Sequence, residues 1–123
     1  MKHLLLTTIG AVLLVGCGTT TAMLIHKAAF DGNIKAVKRH LDAGVDANVQ
    51  TRSENTPLHA AVDQGHAAVA ELLIVKGADL NARMKGGGYT VLDLANLKEQ
   101  TETAVLLRKH GAKTGEELKA EGK

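Results

Sequence analysis

The residues of this chain that invite a chemical reading are six histidines, one cysteine and a run of three glycines. His3, His26, His40, His59, His66 and His110 are scattered, and no pair has the H-E-x-x-H spacing or the companion cysteine that would cage a zinc ion. No metal site is expected. Ser53, His59 and Asp63 include the residue types of a hydrolytic triad, but the serine lies in a polar loop without the sharp elbow that bares a nucleophile. Gly86-Gly87-Gly88 is not followed by Gly-Lys-Ser/Thr, and no strand-to-helix nucleotide unit surrounds it. It reads as a flexible hairpin tip. Catalytic residues, a cofactor and a small-molecule substrate are therefore not expected.

The cysteine has a more specific setting. Lys2 and His3 form a small basic start, and Leu4 to Val15 is an apolar run broken only by Thr7, Thr8 and Gly10. That is the layout of a secretory signal, and the run falls short of the roughly 20 apolar residues that a spanning helix needs. Leu14-Val15-Gly16-Cys17 resembles the lipobox of bacterial lipoproteins, in which a small residue precedes a cysteine that is acylated and becomes the new N-terminus. The resemblance implies that residues 1–16 are removed and that acylated Cys17 ties the chain to a membrane. Gly18 in place of Asp implies an outer-membrane lipoprotein facing the periplasm, with the inner or a sole membrane as the alternative. Residues 17–22 then form the lipidated cysteine and a short tether, and Gly18 to Ala22 fully extended reaches at most about 18 Å.

Composition narrows the partners and the core. Fifteen Lys and Arg against thirteen Asp and Glu leave no electrostatic case for nucleic acid. Apolar residues make up 45% of the chain, yet Phe30 and Tyr89 are its only aromatics, so the core must be Ala, Leu, Val and Ile. Small side chains of this kind suit helices that stack closely.

Self-comparison supplies the elements. Ile25-His26-Lys27-Ala28-Ala29 and Leu58-His59-Ala60-Ala61-Val62 stand 33 residues apart, and the same shift maps Gly32 on Gly65, Gly44 on Gly77, Asp46 on Asp79 and Asn48 on Asn81. A further shift of 34 carries Thr56 to Thr90, Leu58 to Leu92, Ala61 to Ala95 and Gly77 to Gly111. Thr56 is a natural N-cap with Pro57 in the first turn, where its missing N–H costs nothing. Gly32 and Gly65 permit a turn between antiparallel helices, and Ile34, Val37 and Leu41 mark one buried helical face. Three helix pairs are predicted: Met23 to Ala43, Thr56 to Lys76 and Thr90 to His110. The outer pairs depart from the middle one: Met23 and Leu24 replace Thr56 and Pro57, and Glu99 replaces the turn glycine.

A period near 33 with Thr56-Pro57-Leu58-His59-Ala60-Ala61 at its centre resembles the ankyrin repeat. The resemblance covers about Met23 to Lys113 and implies an all-α solenoid of about three helix-turn-helix repeats joined by hairpin loops. Residues 114–123 are a charged tail whose start covers the last helix while its end frays. His59 and His66 stand where such repeats use histidine structurally, and His40 reads as a partly exposed side chain at a loosely packed end, with a pH-sensitive contact as the alternative. The resemblance also implies a protein partner, bound through hairpin tips and the exposed side of the inner helices. Those positions are Phe30, Asp31 and Gln50; Arg52, Ser53, Asn55, Asp63, Gln64 and Arg83; and Lys85, Tyr89, Leu97 and Lys98. The partner itself is unknown.

Overall fold

The computed structural model describes residues 18–123, so the signal segment and Cys17 lie outside the described residues. The described residues form seven helices: α1 (Gly18–Asp31), α2 (Ile34–Asp42), α3 (Pro57–Asp63), α4 (Ala67–Val75), α5 (Val91–Leu97), α6 (Thr101–Lys109) and α7 (Gly115–Ala120). The first six form the three predicted pairs. Within each pair the helices pack on each other; α1, α3 and α5 stack side by side as an inner row, and α2 lies against α4 in an outer row. No pair buries its apolar face alone, so the core is one column of small aliphatic residues passing through all three. Val37, Leu58, Leu73, Leu92 and Leu107 are among its fully buried side chains, and no Phe, Tyr or Trp is part of it.

Three of the helix starts in these pairs are capped by a side chain. Thr56 and Thr90 accept the N–H groups of His59 and Asp93, whose side chains return a bond to the cap's own N–H, so two orphan donors are met reciprocally. Asn33 accepts from Ala36 at the head of α2. Gly32 and Gly65 turn the chain between paired helices at φ +74° and +75°. Glu99 holds the same left-handed conformation at φ +56°. A side chain there costs about 1–2 kcal/mol, partly offset by the greater backbone freedom of an unfolded glycine. Glu99→Gly should therefore raise stability by about 0.5–1 kcal/mol in urea titration, and a loss would show that the Glu99 side chain makes a compensating contact.

Three expectations need correction. Gly18 to Ala22, expected as an extended tether, form the opening turns of α1. Ala22 is buried and its carbonyl oxygen meets His26 Nδ1 at 2.6 Å, which pins the helix; five helical residues rise only about 7.5 Å. Ile34 does not belong to the buried stripe. It is half exposed at the first position of α2, and Ala36 and Val37 are buried instead, with Leu41 packed against the core. The start of the tail packs on the last repeat as expected, but its end does not fray. Thr114 and Glu117 form a third capping box, Leu118 is buried, and the Lys123 carbonyl oxygen accepts from Arg83 Nη2 at 2.9 Å. Arg108 lies 2.8 Å from Glu117, and its hydrogen bond holds that carboxyl at about 2. The glycine-rich stretch is the expected hairpin tip, closed by Met84 N–H to Tyr89 O and Gly88 N–H to Met84 O.

Candidate protein-binding surface

Bonds between repeats hold the exposed side of the inner row in place. His59 is buried; its Nδ1 receives the Thr56 N–H at 3.3 Å and lies 2.9 Å from the Thr56 hydroxyl, while Nε2 faces the Tyr89 carbonyl oxygen at 3.3 Å in the next repeat. His26 reaches the Asn55 carbonyl oxygen in the same way at 2.6 Å. Asp93 takes this register in the third repeat and reverses the bond: its carboxylate accepts from Gly115 N–H at 2.9 Å. A donor that would call for another repeat becomes an acceptor that receives the head of α7. Seven residues on, at the head of each pair's second helix, His66 Nε2 bonds to Phe30 O at 3.0 Å, and Gln100 Nε2 bonds to Val62 O at 2.8 Å.

Burial pushes the His59 ring below its ordinary pKa of 6.5. The unfolded chain therefore takes up a proton near pH 6.5 that the folded chain refuses, and stability must fall as pH drops from that value towards the lower folded pKa. Protonating Nδ1 would also remove the acceptor for the Thr56 N–H. The urea midpoint should decline between pH 7 and pH 5, and His59→Gln should flatten that decline. An unchanged slope in the variant would place the effect elsewhere.

The predicted contact residues do not form one patch. Phe30 and Asn55 line a groove with His26, Lys27 and Thr51, and the Asn55 Oδ1 in it is buried without a hydrogen-bond partner among the described residues. Gln50, Arg52 and Ser53 line an adjoining groove with Met23, Val49 and the same Thr51. Asp63 pairs with Lys98 at 3.3 Å between neighbouring inner helices and accepts from Gln64 at 2.9 Å. Leu97 is exposed beside that pair. Asp31 is engaged by Lys27 at 2.9 Å. Lys85 is joined to the previous tip by its N–H to Ser53 O at 3.2 Å.

Arg83 and Tyr89 line a third groove with the start of α7. The Tyr89 ring lies over Gly87, where any Cβ would come within 2.5 Å of it, so the glycine serves as a platform for the ring. Sequence reasoning misses Met23, Lys27, Val49 and Thr51. The available signal is Met23 in the register of Thr56, a large apolar residue where a cap belongs.

Phe30 is 48% exposed and Tyr89 45%, in a protein whose core uses no aromatic ring. Among the described residues, no three His, Cys, Asp or Glu side chains are grouped to hold a metal ion, and no helix is long and apolar enough to cross a membrane.

A family model described as ankyrin repeats, in three copies, matches residues 25–117. An ankyrin repeat-containing protein of Schizosaccharomyces pombe is 39% identical over 56% of this chain and 33% of its own length. Neurogenic locus notch homolog protein 2 of Homo sapiens is 38% identical over 80% of this chain, and Neurogenic locus Notch protein of Drosophila melanogaster is 40% identical over 72%. The chain spans only 4% and 3% of those two proteins. Three stacked helix pairs, histidine bonds from each repeat to the next and a match over most of the chain agree: the protein belongs to the ankyrin-repeat family, helical solenoids that serve as protein–protein interaction modules.

Proposed function

We propose that this domain binds another protein at a membrane, with acyl chains on Cys17 fixing its location and the inner-helix face supplying specificity. The observation that carries the binding half is the exposure of both aromatics, Phe30 and Tyr89, together with that of Arg52 and Leu97. Aromatic and arginine side chains supply most of the binding energy at protein interfaces. The anchoring half rests on Lys2 to Cys17, where basic start, apolar run and lipobox agree. Two acyl chains, at about 0.8 kcal/mol per buried CH₂, give stable attachment. The setting is the bacterial envelope, with the domain facing the periplasm from the outer membrane.

The domain either holds its partner there or, as an inhibitor or immunity protein, occludes a toxin or enzyme of the same compartment. Loss of the partner's activity on binding selects the second form. A structural envelope role is the rival of another class, and it predicts sedimentation with the cell wall and no soluble partner. Cys17→Ala tests the anchor. The variant should leave the membrane fraction and lack the added lipid mass; unchanged fractionation and mass would refute anchoring.

A further inference from the structure

Two grooves on the first repeat meet at Thr51. The larger, of about 810 Å³, lies between the start of α1 and the first hairpin, with Met23 and Val49 as its apolar walls and Arg52 at its rim. The smaller, of about 340 Å³, continues past Lys27 to Phe30. Met23 is 62% exposed. It stands two turns before Phe30, a separation of about 10.5 Å along the helix, which three residues of extended chain would match.

Charge gives this channel a sign. Arg52 and Lys27 line it, and among the described residues no carboxylate does. Lys27 is already paired with Asp31, whereas Arg52 makes no ion pair among the described residues. Thr51 and Glu54 close the hairpin that presents it, through Thr51 N–H to Asn55 O and Glu54 N–H to Thr51 O. An exposed guanidinium on a fixed loop offers a fork that matches a carboxylate in two-point contact. Met23, with its unbranched and polarizable chain, adapts to apolar side chains of different shape.

We infer that this channel takes an extended segment of a partner protein, three to four residues long, which places an apolar side chain between Met23 and Val49 and an Asp or Glu carboxylate on Arg52. The inference rests on the binding-module reading and gives its partner a chemistry.

The test is selection of random phage-displayed peptides on the full-length protein in detergent, followed by affinity measurement with the enriched peptides resynthesised. Enriched sequences should carry Asp or Glu within three residues of Leu, Ile, Met or Phe. Arg52→Gln should weaken them about tenfold, the scale of a charge-assisted hydrogen bond, and Met23→Ser should weaken them too, while Arg39→Gln, exposed on α2 outside these grooves, leaves them unchanged. Both Arg52 and Met23 are exposed, so melting curves should show the variants folded. No enrichment, peptides without acidic bias, or equal binding by Arg52→Gln would overturn the inference. Peptide binding seen only with Cys17→Ser would mean that an acyl chain fills the channel, and would overturn it as well. If a partner recovered from cells is held equally by Arg52→Gln, the channel assignment falls while the binding module stands.

Discussion

Leu73→Ala should destabilise the domain by about 2–5 kcal/mol, the range for truncating a large buried aliphatic side chain that leaves a cavity. Leu73 is fully buried in α4, in the register of His40 before it and Leu107 after it. Its position in the middle repeat enlarges the consequence, because stability in a stacked array resides in the interfaces between neighbours. Domains of this size have only about 5–15 kcal/mol in total. The urea midpoint should therefore drop steeply with little change in slope. Val75→Ala, on the same helix but 71% exposed, should stay within about 0.5 kcal/mol of the parent. Similar losses for both would mean that α4 does not pack as described.

Gly32→Ala should cost about 2–5 kcal/mol, from two sources that a control separates. A φ of +74° costs an L-residue about 1–2 kcal/mol, and a Cβ there would lie 2.6 Å from two atoms of the His66 ring, an overpacking worth about 1–3 kcal/mol. The ring cannot move without loosening its bond to the Phe30 carbonyl oxygen. Gly44→Ala has φ +98° with nothing within 4 Å of the added carbon, so it should show the backbone cost alone. Equal losses at Gly32 and Gly44 would remove the His66 contact from the explanation. The displaced ring should also disturb Phe30, so partner binding should suffer at Gly32 and not at Gly44.

The repeat is legible because each unit restates the same local chemistry. Thr56 and Thr90 as caps, the turn glycines and the Leu58 and Leu92 register need only short-range reasoning, and the structure has each where spacing puts it. The features that escape such reasoning depend on pairing across repeats or at the ends. Nothing in Gly18 to Ala22 alone announces a helix; burial of Ala22 and the His26 bond to its carbonyl decide it. The tail's cover over the last helix is legible, but that its end is held too shows only in the Arg83 bond to Lys123. The repeat register places the candidate face position by position, but its division into separate grooves is not readable. Met23 meets Arg52 only because the first hairpin folds back on α1. Arg83, expected to be available to a partner, reaches instead to the Lys123 carbonyl oxygen.

The binding role is tested most directly by crosslinking the full-length protein in a diderm bacterium, solubilising in detergent and identifying what co-purifies, with Phe30→Ala/Arg52→Ala/Tyr89→Ala alongside. All three residues are exposed or nearly so, and none belongs to the buried core, so the variant should fold and melt like the parent. One protein recovered with the native chain and lost with the variant is the predicted result. An empty recovery, or the same proteins from both, would contradict a binding module that works through this face.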